Sequence, residues 1–381
     1  MLGHQTEDMA SKRVFILGGS GLAGRTIARH LFDRTDADIV LAGRNVHEAQ
    51  FQAQLIDPLG NRVMTRQFDA AGVAGDLEAL AGVDLFVNAS SAVEHAPALV
   101  SACIAQGVDW IDLQLDRRQA RHLEANRHAI EARNLCFITQ AGFHPGVPAA
   151  LVRWCASHVD ELQSAHAFGC LRPEGGYPPS SAMGELVAEF KDYSAHVYDA
   201  GEWRKVSMLS TKDMRTVEMA FGMGEAKTYP YDLKELETLP AQFPTMRDLS
   251  FSMAGTDPVT DYLVTPLMMI GANLGSWTYP ALAKLIEWST RTFTRPPFGV
   301  LVQCDATGYR DGALVNLRVA LMHQDAYELT AVPVVSMIEQ LLDGSARQVG
   351  LHRMGNVVAP ERLFNDCKMM GLEFTSQIVP Q

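Results

Sequence analysis

The stretch RVFILGGSGLAGRTIARHL, Arg13 to Leu31, decides how the rest of the chain is read. Val14 to Leu17 is a four-residue apolar run of β-formers, short enough for a strand buried on both faces of a parallel sheet. Glycines follow at once. Gly19, Gly21 and Gly24 fit G-x-G-x-x-G: the first allows a tight turn, the second lets backbone approach a pyrophosphate, and the third permits close helix packing. Ala23, Ile27 and Leu31 then recur every four residues, so a helix begins here with its free N–H groups and positive dipole end facing the turn. A glycine turn that merely joins strand to helix is the plainer reading. Its place directly after a strand and before an amphipathic helix favours a dinucleotide, lined by Gly18, Gly19, Ser20, Gly21, Leu22, Ala23 and Gly24.

With 381 residues the chain is long enough for two domains with substantial cores. Hydrophobic residues at 47% and charged residues at 20% are ordinary for a globular enzyme. A net charge of −12, with no basic stripe, argues against a nucleic-acid partner. Cys103, Cys136, Cys155, Cys170, Cys304 and Cys367 show no C-x-x-C spacing, which suits a reducing cytoplasm without structural zinc; no metal site is expected. Met1 to Ser11 is polar and is read as a loose tail, not a secretory signal.

From Lys12 to Thr139 short apolar runs alternate with helix-like segments. Six strands are expected, at Val14 to Leu17, Ile39 to Ala42, Arg62 to Phe68, Asp84 to Asn88, Val108 to Asp112 and Leu135 to Thr139. Helices are expected at Arg25 to Phe32, Val46 to Ile56, Asp76 to Leu80, Ala96 to Gln106 and Arg117 to Ala132. This is an α/β pattern, a Rossmann-type doubly wound parallel sheet, whose ligands bind beyond the carboxyl ends of the strands. After the second strand stand Arg44 and Asn45, where an NAD enzyme places an acid on the ribose hydroxyls. A guanidinium there suits a 2′-phosphate, so NADP is preferred, with NAD possible; a surface arginine is the alternative. Asp69 is placed to receive an adenine amino group or to cap a helix. Asn88, Ala89, Ser90 and Ser91 are small residues where the chain passes ribose and nicotinamide. Asp112 ends the fifth strand. The sixth runs into Gly142-Phe143-His144-Pro145-Gly146-Val147-Pro148, where His144 is a candidate acid or carboxylate-binding donor and Asp112 its orienting partner.

From about Gln163 the pattern turns to alternating strands with one buried face, read as an antiparallel sheet, with Asp311-Gly312 as a hairpin turn. Ser180 or Ser181 is read as the N-cap of a helical stretch from Met183. Asp261 to Trp288 is the most apolar region, but Pro266, Asn273, Ser276 and Pro280 interrupt it, so no transmembrane segment is expected. A helical pair forming the surface of a homo-oligomer is preferred over peripheral lipid contact.

Together these stretches resemble the saccharopine dehydrogenase-like family of NAD(P)-dependent oxidoreductases. The resemblance rests on GGSGLAG at Gly18 to Gly24, LAGRN at Leu41 to Asn45, VNASS at Val87 to Ser91, WIDL at Trp110 to Leu113 and GFHPGVP at Gly142 to Pro148. DATGYRDG at Asp305 to Gly312 and MGNVVAPERL at Met354 to Leu363 add to it. It implies an α+β domain over 161–335 inserted after a dinucleotide-binding domain over 1–160, with 336–381 returning to the latter. It also implies hydride transfer to a small-molecule substrate, an imine formed by an amino acid. Enoyl reduction of a lipid-like substrate and a non-catalytic NADP-binding sensor or scaffold are the alternatives. Several relatives carry an acid at the position of His144, so the family's amino-acid specificity is not carried over. No tyrosine here is followed four residues later by lysine, which excludes a short-chain dehydrogenase, and no cysteine is placed as the nucleophile of a semialdehyde dehydrogenase.

Overall fold

A strand enclosed by parallel neighbours on both sides has no polar face to offer, and β1 (Arg13–Leu17) meets that demand: Val14, Phe15 and Ile16 have no exposed surface. The computed structural model describes residues 11–114, 117–177, 184, 187–188, 190–191, 195–206 and 211–381. The tail before Ser11 and the expected capping serines Ser180 and Ser181 lie outside the described residues.

The chain divides into two compact units. The first runs to Thr139 and adds Ile338–Leu351. Here β1 is followed by α1 (Leu22–Arg34), β2 (Asp38–Gly43), α2 (Val46–Ile56), β3 (Val63–Gln67), β4 (Leu85–Asn88), α3 (Ala96–Gln106), β5 (Asp109–Asp112), α4 (Arg117–Ala125), α5 (Arg127–Ala132) and β6 (Cys136–Thr139). The sheet order is Gly350–Arg353, β6, β5, β4, β1, β2, β3. Strand order therefore reverses between β1 and β4, the crevice where doubly wound sheets take their ligands. Three details depart from the sequence reading. The helix expected over Arg117 to Ala132 breaks into two at Asn126, the segment Asp76 to Leu80 is a 3₁₀ turn (Leu77–Leu80), and Gly350–Arg353 is a seventh strand.

The parallel register lines up one aromatic ring on each of four adjacent strands. Phe15 is opposite Phe86, Phe86 opposite Trp110, and Trp110 opposite Phe137. The rings stack with centroids 5.3, 5.2 and 6.0 Å apart, and all four are fully buried. Arg34, in the last turn of α1, meets Glu339 through two hydrogen bonds of 2.5 and 2.9 Å, and so ties that helix to a residue three hundred positions on.

The second unit holds Gln140–Met337 and His352–Gln381. It carries α6 (Val147–Ser157) and a nine-stranded sheet. The strands are β7 (Glu161–Arg172), β8 (Ala195–Asp199), β9 (Glu202–Val206), β10 (Arg215–Met219), β11 (Gly224–Pro230), β12 (Asp248–Ala254), β13 (Gly299–Arg310), β14 (Ala313–His323) and Glu373–Pro380. The order is β10, β11, β12, β7, β13, β14 and Glu373–Pro380, with β8 on β12 and β9 on β8. The sheet is mixed where a purely antiparallel one was expected, because β12 runs parallel to β7. Alternation along a strand reports its buried face and carries no information on the direction of its neighbour. The β13–β14 hairpin turns at Asp311 (φ 52°) and Gly312 (φ 76°), the two left-handed positions of a type I′ turn. Among the described residues no helix is long and apolar enough to cross a membrane.

Phe86 stands at the centre of the ring stack, with a neighbour on each face. Phe86→Ala is expected to cost about 3–5 kcal/mol, the usual range for a buried phenyl group. Urea unfolding monitored by tryptophan fluorescence checks it, and a loss under about 1 kcal/mol contradicts a central role for the stack.

Candidate functional site

The turn between β1 and α1 is built from backbone packed on backbone. Gly18 adopts φ +80°, and a Cβ there would lie 2.8 Å from the Ala89 carbonyl oxygen. Gly21 N–H donates to the Gly18 carbonyl at 2.9 Å, and a Cβ on Gly24 would overlap that same carbonyl. Gly21 differs from these two. The protein atom nearest its absent Cβ is 3.1 Å away, and the rest of its surroundings are open. It is also the N-cap of α1, with no side-chain cap and no acid in the first turn. Among the described residues, the opening N–H groups of this thirteen-residue helix thus receive no side-chain cap and no first-turn acid, beside a residue whose missing side chain leaves room. An anionic pyrophosphate fits such a cradle. Ser20 is half-buried in the same turn and Leu22 and Ala23 open the helix.

At the end of β2, Arg44 is exposed, and among the described residues it has no ion pair. Asn45 caps α2, its Oδ1 accepting from Glu48 N–H at 3.2 Å. Asp69 likewise caps a 3₁₀ turn, one oxygen accepting from Ala71 N–H at 3.1 Å. Asn88, at the end of β4, is fully buried. Its Oδ1 accepts from Ser90 N–H at 3.3 Å and Ser90 Oγ at 2.8 Å, while Nδ2 finds no partner among the described residues. An unmet buried donor costs about 1–3 kcal/mol, so this amide suits a ligand oxygen. Ala89 presses its carbonyl toward Gly18, and Ser91 is exposed. Asp112 is buried and already engaged: it accepts from Trp110 Nε1 at 2.7 Å, Gln114 N–H at 3.1 Å and Thr139 Oγ1 at 3.1 Å. Gln114 was not singled out in the sequence; its Nε2 donates to the Ser90 carbonyl at 2.7 Å, joining the ends of β4 and β5.

His144 belongs to the second unit, in the turn that leads into α6. Its ring stacks on Phe143 at 4.0 Å and meets Phe251 edge-on at 6.1 Å. These apolar surroundings lower its pKa to about 4, so the imidazole is neutral at physiological pH. Gly146 takes φ +119°, where a Cβ would lie 2.6 Å from the Gly142 carbonyl oxygen. Glu235, which sequence reasoning missed, holds this turn. Fully buried, it accepts from Gly146 N–H at 2.8 Å and Ala149 N–H at 3.4 Å, closing the start of α6. Gly355 packs on both, and a Cβ there would lie 2.6 Å from Glu235 Oε2. Nothing in the sequence marks Glu235 out from Glu237 nearby. Burial pushes its pKa up to about 8, opposed by the two N–H groups and by the Arg353 charge.

All six cysteines are buried and free, and burial pushes the Cys136 thiol up to about 11. Among the described residues no group of three His, Cys, Asp or Glu is arranged to hold a metal. Two cavities of about 210 and 400 Å³ open on the sheet of the second unit and meet at His166. None of the residues expected at the site lines them.

Because Glu235 holds its proton in the folded state up to about pH 8 but releases it near 4.5 when unfolded, its contribution to stability is complete at low pH. It is lost as pH rises between those values. Glu235→Gln is therefore expected to flatten the decline of stability across that window, read as urea midpoints at a series of pH values. Glu235→Ala leaves two buried N–H groups without their acceptor and is expected to cost about 1–3 kcal/mol throughout. Identical pH slopes in wild type and Glu235→Gln would contradict the assignment.

Comparison with known proteins agrees with this geometry. Residues 14–135 match the saccharopine dehydrogenase NADP binding domain. No curated protein matches the sequence at a significant level. Among solved structures, the saccharopine dehydrogenase (L-Glu forming) of Saccharomyces cerevisiae is similar over 97% of this chain and 100% of its own, with a TM-score of 0.69 and 15% identity. An amine dehydrogenase from Mycobacterium smegmatis aligns over 94% of this chain and 98% of its own at 12% identity, with a TM-score of 0.47. Residues 14–135 therefore match a saccharopine dehydrogenase-type NADP binding domain, and the chain shares the fold of the yeast dehydrogenase.

Proposed function

We propose that the protein is an NADP(H)-dependent oxidoreductase that exchanges a hydride with a small-molecule imine formed by an amino acid. The observation that carries this reading is the open N-terminus of α1, an anion cradle that no side chain of its own first turn closes. When bound, NADPH supplies the hydride. Gly18, Gly19, Ser20, Gly21, Leu22, Ala23 and Gly24 hold the pyrophosphate, and Arg44, exposed and without an ion pair among the described residues, receives the 2′-phosphate. Asn45 and Asp69, each with a backbone cap already made, flank the adenosine half. Asn88, Ala89, Ser90 and Ser91 pass the ribose and nicotinamide, with the Asn88 amide as donor.

For His144 the role is orientation of the substrate. A neutral imidazole donates one hydrogen bond and accepts another, but it holds no spare proton to deliver. Asp112, held by three donors, serves as a fixed acceptor at the end of β5. We also propose a cytoplasmic location, supported by six free cysteines, and a homo-oligomer as the working form.

Fluorescence titration tests the cofactor assignment. NADPH is expected to bind more tightly than NADH, and Arg44→Asp to weaken NADPH by about thirtyfold, or about 2 kcal/mol, with NADH unaffected. An unchanged preference in the variant removes Arg44 from the site.

Substrate class is tested by NADPH consumption with pairs of amino acids and oxo acids. On an active pair, His144→Ala is expected to lower kcat by about a hundredfold with NADPH affinity within about twofold of wild type. Turnover only with enoyl thioesters supports the lipid-like alternative, and tight NADPH binding without turnover of either class supports the sensor.

A further inference from the structure

The helix Thr265–Leu274 and the helix Tyr279–Phe293 pack on each other within the second unit. Their shared side is tight: Val264, Met268, Ala272, Leu282 and Ile286 form a buried cluster. A Cβ on Gly271 would lie 2.9 Å from Leu282 Cδ1, so the inner face is complete as it stands. The outer face is not polar, as a surface helix would normally be. Leu263, Leu267, Ile270, Leu274 and Trp277 are 58, 47, 64, 64 and 77% exposed.

Leu267, Ile270 and Leu274 recur at spacings of three and four along the helix Thr265–Leu274, with Leu263 on the π-helical turn before it and Trp277 on the 3₁₀ turn after Gly275, so the five form an apolar seam along the outside of this segment. Membrane-surface helices instead combine a broad apolar face with lysines and arginines on the polar side. Residues 262–283 contain no charged side chain, and the chain's net charge of −12 is repelled by anionic lipid. With Tyr262, 59% exposed, the seam offers on the order of 700 Å² of apolar surface. That exceeds the few hundred Å² a monomer ordinarily leaves in water and approaches the ~800 Å² each partner gives to a standard interface.

We infer that the seam Leu263, Leu267, Ile270, Leu274 and Trp277 is the surface through which two copies of this chain pair, seam on seam about a two-fold axis. The inference deepens the homo-oligomer reading above and stands independently of any catalytic activity. An uncharged, apolar seam is self-complementary: pairing it with itself opposes no like charges and buries no unpaired ion. Each half-buried leucine becomes fully buried on pairing, while the inner cluster with Leu282 and Ile286 is left as it is.

Sedimentation velocity of the full chain at about 10 μM tests this, alongside flotation with phosphatidylcholine vesicles and with phosphatidylcholine–phosphatidylglycerol vesicles. Wild type is expected to sediment as a dimer and to float with neither. Ile270→Glu places two carboxylates in the seam and is expected to weaken dimerisation at least a hundredfold, giving monomer, with thermal midpoint and NADPH binding close to wild type. Leu274→Ser, a milder change, is expected to shift the dimer constant in the same direction, which covers misfolding of the first variant. A dimer that survives both substitutions overturns the seam but keeps the oligomer. A wild-type monomer overturns both, and flotation lost in Ile270→Glu assigns the face to lipid instead.

Discussion

The carbonyl of Gly18 lies where a side chain on Gly24 would have to be, and the first unit is arranged around that contact. It brings the first turn of α1 against the end of β1 and sets where the helix N-terminus points. The second unit solves the same problem at α6, where Gly142 and Gly146 of one turn and Gly355 bring two stretches of backbone together. The two helix starts differ in what completes them. α6 receives the side-chain carboxyl group of Glu235 from its own chain, whereas α1 has neither cap nor first-turn acid. The fold therefore carries one helix start capped from within and one left for a ligand, and the first does not compete for the phosphates meant for the second.

What the sequence makes legible is local. The run from Val14 to Gly24 announces strand, turn and helix because each needs a distinct residue type within a few positions, and Asp311-Gly312 does so for its hairpin. The partnership between β7 and β12 is invisible there: the Leu249 to Met253 alternation is the same whichever way the neighbour runs. Glu235 is hidden for another reason. Its partners are Gly146 and Ala149, nearly ninety residues earlier, and a glutamate in a polar stretch reads as a solvated one. The apolar residues after Asp261 are plain in the sequence, but period alone does not say that Leu267 and Ile270 face outward while Met268 and Ala272 face inward.

Of the residues expected at the site, those on the backbone turn carry the plainest signal in the sequence, since glycine has few reasons to recur. Side chains carry a weaker one. Asn45 and Asp69 each make the helix-capping bond that their residue types make in many proteins, and that bond leaves further lone pairs available. Asp112 gains three donors from neighbours on its own sheet, and Trp110 couples it to the ring stack two residues away. The mouth of the sheet is thus anchored to its aromatic interior through a single indole N–H.

The chain passes between the two units three times, after Thr139, after Met337 and after Leu351. This has a consequence for synthesis on the ribosome. The six strands β1 to β6 emerge first, yet Ile338–Leu351, which carries Glu339 for Arg34 and the opening residues of the seventh strand, follows only after roughly 200 further residues. At 5–20 residues per second that is about 10–40 s. During that interval the nascent nucleotide-binding unit exposes the edge of β6, and its completion waits on Gln140–Met337 having been translated.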